Sequence, residues 1–428
     1  MTDLSYHYDK ETKTLTVPKY FNDTILNIPE ETEVIIFSEN SIFNQPINNL
    51  PKNLKKITFG SLFNKPICEV NLGIFSNKFT NYILGNFKYF LQNSLPETLT
   101  HITFGSYFNQ HVDNLPKNLT HLTFGRYFNQ KVNELPKSLT HITFGSHFNQ
   151  PVNNLPKNMT HLTFGEIFNQ PVDNLPLFLT NLSFSGYFNK SVDNLPQNLT
   201  HLTFGYWFNK SVNNLPKKLT HLTFNYKFNQ PVDKLPENIT HLTFGINFNQ
   251  LVNDLPKNLT NLIFGSHFNQ PIDNLPKNIT HLTFGWDFNK PVDNLPEKIT
   301  NLTFCVKFNQ PVDNLPETLT HLTFGCNFNQ SAKKLPKSII ELKILNTNNN
   351  ITIPQKVKEL YIYNNNTLIN NLPDYIEKLF IVFEGNKKII ENLPITIKEI
   401  IIEKEKYKKY IKTPFETIIT VKKIERNI

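Results

Sequence analysis

Cysteine is nearly absent. The 428 residues hold three, Cys68, Cys305 and Cys326. They form an odd, scattered set without a C-x-x-C pair, so no disulfide framework, zinc ribbon or redox motif is encoded. Glycine is scarce too, at 14 residues against 28 prolines, and neither a glycine-rich phosphate loop nor a nucleophile elbow occurs. No apolar run is long enough for a membrane-spanning helix, and the first residues, Met1 to His7, are polar where a secretory signal would be apolar. These absences set membrane insertion aside, leave the cysteines as free thiols and place the expected protein inside a cell, in the cytoplasm.

Phenylalanine, by contrast, occurs 37 times, and a repeat explains it. From His101 to Ile340 one pattern recurs every 20 residues, in twelve uninterrupted copies. With His121 as column 1, columns 2, 4, 8, 12, 15 and 19 are apolar: Leu122, Phe124, Phe128, Val132, Leu135 and Leu139. So many apolar positions cannot be buried within one short unit, but stacked copies bury them against one another. Columns 20 to 4, Thr-His-Leu-Thr-Phe, alternate polar and apolar as a half-buried strand does. Identical strands stacked in one sense form a single parallel sheet rising about 4.8 Å per copy. Proline fills column 16 and often column 11, which keeps the opposite, convex side extended or turning and poor in helix.

Column 9 is Asn in every copy: Asn109, Asn129, Asn149, Asn169, Asn189, Asn209, Asn229, Asn249, Asn269, Asn289, Asn309 and Asn329. It follows the apolar Phe of column 8. We expect these amides to turn inward at a corner and form a structural ladder that satisfies backbone groups left open by the bend.

The motif Phe-Asn-Gln-Pro-Val, then Asn-Leu-Pro and Leu-Thr-His-Leu-Thr-Phe-Gly, resembles the FNIP repeat of social amoebae and of the giant viruses that infect amoebae. That family is similar to leucine-rich repeats. The order Leu-Pro-x-x-Leu-x-x-Leu-x-Phe also resembles the short, helix-free leucine-rich repeats of some bacterial effectors. The resemblance covers nearly the whole chain. It implies a curved solenoid that binds protein, in the host cytoplasm if viral, and carries over no catalytic residues. Viral relatives often join an F-box to these repeats. Here the strand pattern already begins at Leu15, too early to leave room for one.

In chain order, residues 1–20 read as an N-terminal cap and first partial coil. Residues 21–94 read as irregular repeats with an insertion near 67–80, residues 95–345 as the regular array, and residues 346–428 as degenerate repeats ending in a basic cap. From Glu403 to Ile428 seven lysines and one arginine face four glutamates, half of the net charge of +8.

The remaining polar columns decide the expected function. His101, His121, His141, His161, His201, His221, His241, His281 and His321 share column 1, with Asn181, Asn261 and Asn301 in the other copies. A metal site needs a convergent ligand set; a uniform row offers a hydrogen-bonding or stacking ladder instead, so no metal or cofactor is assigned. A catalytic site is one constellation of unlike residues, and here the polar groups recur with the coil, so no enzyme is expected. Columns 17 and 13 mix Lys117 and Lys157 with Asp113 and Asp173, which argues against a phosphate track for nucleic acid. Columns 6 and 7 vary most. They hold Tyr107, Tyr127, Tyr187, Tyr206, Trp207, Tyr226 and Trp286, residue types that anchor protein interfaces. The expected function is therefore non-catalytic binding of another protein along this strip. A structural or particle-associated role comes second and nucleic-acid binding third.

Overall fold

The computed structural model describes residues 6–47, 49–67, 95–345, 351–363, 367–383, 389–413 and 417–424. Beyond Ile67, the insertion expected at 67–80 lies outside them, as does Cys68. The chain divides into two compact units, Met1–Lys210 with Asn214–Leu219, and Ser211–Asn213 with Thr220–Ile428. Each is a parallel-strand solenoid, and among the described residues neither contains an α-helix.

In the first unit β1 (His7–Asp9) opens the chain and pairs antiparallel with β2 (Thr14–Val17). The connecting turn is set by the Asp9 carboxylate, which accepts from the Glu11 N–H at 2.9 Å and from the Thr12 hydroxyl at 2.8 Å. This hairpin ends the sheet; the sequence pattern shows only a polar N-terminus there. From β2 onward all pairing is parallel: β3 (Val34–Phe37), β4 (Lys56–Thr58) and β5 (His101–Thr103) follow. Strands β6 to β9 start at His121, His141, His161 and Asn181, and β10 is His201–Thr203. Register is kept column for column, as in Leu122 opposite Ile142.

The second unit carries β11 to β16, starting at His221, His241, Asn261, His281, Asn301 and His321. Then come β17 (Glu341–Ile344), β18 (Glu359–Tyr363), β19 (Lys378–Val382), β20 (Glu399–Ile402) and β21 (Ile418–Val421), all parallel. Two short 3-10 turns, Thr367–Asn371 and Glu405–Tyr410, lie among these last coils.

Within a coil the strand occupies columns 1 to 3 or 4, and the rest is turns. Proline in column 16 starts a tight turn closed by the column 19 N–H, as in Leu119 to Pro116 O at 3.1 Å. All six apolar columns are buried, each Phe contributing about 3 kcal/mol. In each unit the two Phe columns form a double spine. Phe124 and Phe128 lie 3.7 Å apart between ring centroids, and Phe128 and Phe148 of the next coil 6.1 Å apart. Column 5 is usually glycine because successive coils nearly touch there: a Cβ on Gly125 would lie 1.9 Å from the Gly105 carbonyl oxygen.

The Asn column sits at the corner after the inner Phe. It is half-buried, with Asn209 and Asn329 exposed, and not deeply enclosed. Within each unit the amide Oδ1 accepts from the backbone N–H of the same column one coil on, as in Asn149 N to Asn129 Oδ1 at 2.9 Å and Asn269 N to Asn249 Oδ1 at 2.9 Å. Gln in column 10 adds a second rung, since Gln150 Nε2 also reaches Asn129 Oδ1 at 3.2 Å.

Candidate functional site

The polar columns line the outer face of the sheet and the rim beyond it. In column 1 the imidazoles of His101, His121, His141 and His161 stack face to face, each pair 4.2 Å apart and within 11–13° of parallel. The preceding threonine holds each ring. Thr120 Oγ1 is 3.0 Å from the Thr100 carbonyl oxygen and 2.9 Å from His121 Nδ1. One hydroxyl proton cannot serve both, so when the carbonyl takes it, Nδ1–H donates to Oγ1. Asn181 meets the preceding threonine with the opposite polarity, its Oδ1 accepting from the Thr180 hydroxyl at 2.8 Å, so Asn can stand in for His in this column.

Partial burial, before anything else, lowers the pKa of all four imidazoles, and other histidines of the column add repulsion. His141, flanked on both sides, falls to about 4. The sequence pattern points to the repulsion, and burial is the larger cause. Rings stacked in parallel also aim their nitrogen lone pairs side by side, whereas shared ligation requires convergence at about 2.0–2.1 Å from one ion. Among the described residues no group of three or more His, Cys, Asp or Glu side chains is placed to hold a metal.

The rim residues do not all share one column. Tyr107, Tyr127, Tyr187 and Trp207 occupy column 7, and Tyr206, Tyr226 and Trp286 column 6. The backbone of the five in the first unit is fixed outside the strand by bonds between coils, such as Tyr127 N to Ser106 O at 2.8 Å. In the first unit column 7 is aromatic on both sides of Ile167. Tyr107 stacks on Tyr127 at 4.9 Å, Tyr127 meets His147 at 4.7 Å, and Tyr187 lies parallel to Trp207 at 5.9 Å. Tyr206 packs at a tilt against Trp207, and both remain about two-fifths exposed. Stacking turns ring faces toward neighbours and leaves edges and phenol groups outward.

In the second unit the same column is polar or charged throughout and carries one ionic cluster. Asp287 lies between His267 Nδ1 at 2.6 Å and Lys307 Nζ at 2.8 Å, and hydrogen bonds from both hold its carboxyl below the usual range. Tyr226 sits under the Lys227 ammonium at 5.3 Å. Trp286 is half exposed and edges a groove of about 610 Å³ that runs through columns 3 to 6 from Thr223 to Cys305. The sequence reading missed this groove; its signal was Ile263, an aliphatic residue in a column that is otherwise Thr or Ser throughout the array.

Short parallel strands, one per coil, with turns in place of helices define a leucine-rich-repeat-like solenoid. The FNIP repeat profile matches overlapping spans from 108–133 to 308–347, and the chain belongs to the FNIP repeat family. Among solved structures it is similar to CroV588, described as a novel circular LRR protein. Identity there is 36% and the TM-score 0.70, over 93% of this chain and 67% of that one. The structure of the Drosophila Toll–Spatzle complex shares the fold at 10% identity and a TM-score of 0.50, over 94% of this chain and 65% of that one. A search of curated proteins gave no match. Among the described residues no helix is long and apolar enough to cross a membrane.

Proposed function

We propose that this solenoid is a non-catalytic scaffold for binding another protein, and that the aromatic rim of the first unit is its main contact surface. The observation that carries the reading is the exposure of Tyr107, Tyr187, Tyr206 and Trp207 at positions where the coil accepts any side chain. The repeat itself requires no aromatic there, as Lys227 and Asn247 in column 7 and Ser106 and Glu166 in column 6 show. Exposed Trp and Tyr cost little entropy to order and serve as interface anchors. The relationship to leucine-rich-repeat folds, which commonly act as interaction scaffolds, supports the same conclusion, and the recurrence of every polar group with the coil supports the absence of catalysis.

The test is capture from amoebal lysate on the immobilised full chain, compared with a variant carrying Trp207→Ala and Tyr206→Ser. One discrete protein should be retained by the parent and bound more weakly by about 2 kcal/mol or more in the variant. The melting midpoint should be unchanged. Full retention by a folded double variant removes this surface from the interface.

A further inference from the structure

The groove of the second unit is bounded in a way that limits what can occupy it. Glycine in column 5 leaves a side-chain-free floor at Gly245, Gly265 and Gly285, and Asn225 and Cys305 close the two ends. Four coil steps separate those ends, about 19 Å, the length of about six extended residues. Three apolar side chains face this floor: Ile246, Ile263 and Trp286, respectively 37%, 44% and 50% exposed. None is needed by the coil, which elsewhere places Thr in the column of Ile263 and Ser in the column of Trp286.

The same unit shows how this face is covered when it is covered. In the last coils, columns 3 and 5 hold Phe380, Ile401, Tyr363 and Val382, and Ile424 from the segment after β21 packs into that cluster. An aliphatic residue of an outlying segment thus seals the columns that stay open at the groove. Charge then selects the occupant. The charged side chains on the groove's rim in column 7 are Lys227, Asp287 and Lys307, and Asp287 is already neutralised by Lys307 and His267. Lys307 is spent in that pair, and the three charges together leave the rim at net +1.

We propose that the groove binds an extended peptide segment of a partner protein, about six residues long, with an apolar centre seated on Ile263 and Trp286 and acidic flanks toward the net-positive rim. This rests on the protein-binding reading and adds a second contact with its own chemistry.

The test measures fluorescence anisotropy of three labelled hexapeptides, EELFEE, KKLFKK and EESSEE, with the full chain. EELFEE should bind about tenfold more tightly than either of the others. Ile263→Thr and Ser266→Glu should each weaken EELFEE about fivefold or more. Both substitutions introduce residues that other copies carry in the same columns, Thr243 and Glu166. In the unsubstituted chain, EELFEE with benzoylphenylalanine in place of its Phe should crosslink within residues 243–286. Equal or tighter binding of KKLFKK, no saturable binding of EELFEE, crosslinks confined to other coils, or EELFEE affinity unchanged in both folded variants would each overturn the groove proposal. The aromatic-rim reading stands or falls separately, because the variant at Tyr206 and Trp207 should lose the captured partner and still bind EELFEE fully.

Discussion

Column 7 takes two forms on one backbone. In the first unit Tyr107, Tyr127, Tyr187 and Trp207 make two aromatic pairs on either side of His147 and Ile167, with Tyr107, Tyr187 and Trp207 exposed. In the second, His267, Asp287 and Lys307 make an ion-paired cluster. Both are held by the same hydrogen bond between coils, Tyr127 N to Ser106 O in one and Asp287 N to Ser266 O in the other, at 2.8 and 2.7 Å. The coil therefore sets where this side chain stands and not which side chain it is. What one unit offers a partner differs from what the other offers, at no cost to the core.

That separation can be broken most forcefully from the core side. Phe128→Ala removes a ring packed against Phe124, Phe108 and Phe148 and should cost about 3–5 kcal/mol. Tyr127→Ala, one residue earlier on the rim, should cost less than about 1 kcal/mol. Denaturant titration of both variants checks this; similar losses would mean that the rim is part of the core. The loss of partner affinity expected for the Tyr206 and Trp207 variant comes next, and the matching change in the ionic cluster, Asp287→Asn, should leave that affinity within about 0.5 kcal/mol.

A corner change is smaller. Asn129→Ala takes away the acceptor for the Asn149 N–H and for Gln150 Nε2 and should destabilise by about 1–2 kcal/mol. Asn133→Ala, in the exposed column 13, should shift the midpoint by about 0.5 kcal/mol or less. Equal shifts would show that the Asn row carries no structural weight.

The histidine row sharpens the comparison through pH. Folded pKa values below the ordinary 6.5, down to about 4 for His141, mean that the unfolded chain takes up protons first. Stability contributed by the neutral stack is complete above about pH 6.5 and is lost as the pH falls toward about 4. In the first unit, where four imidazoles stack in succession, His141→Asn should flatten this dependence. Asn already fills this column at Asn181. Melting midpoints between pH 7.5 and 4.5 check this, and an identical slope in the variant would contradict it. The smallest effect is the ion pair itself: because it is partly exposed, Asp287→Asn should cost less than about 1 kcal/mol in stability, and less still in high salt.

Much of the architecture could be read from the chain because a fixed period of 20 residues leaves few solutions. Leu122 and Phe124 alternate with His121 and Thr123, Pro136 recurs with them, and stacking in register is the arrangement that buries every apolar column at once. The N-terminal hairpin was not legible, since β1 has no periodic partner and pairs only across its turn. Nor was the role of column 10, because the reach of Gln150 to Asn129 depends on how closely the coils approach.

The sequence by itself determined the repeat, the buried columns, the parallel sense of the sheet and the FNIP family, since periodic burial is a local, additive property of each copy. Tertiary structure alone decided that column 5 must shrink to glycine at Gly125, that partial burial outweighs repulsion at His141, and that Ile263 and Trp286 border one groove. Each of those depends on distances between residues 20 or more apart in the chain. Such distances are set by how closely the coils stack, which no single copy encodes.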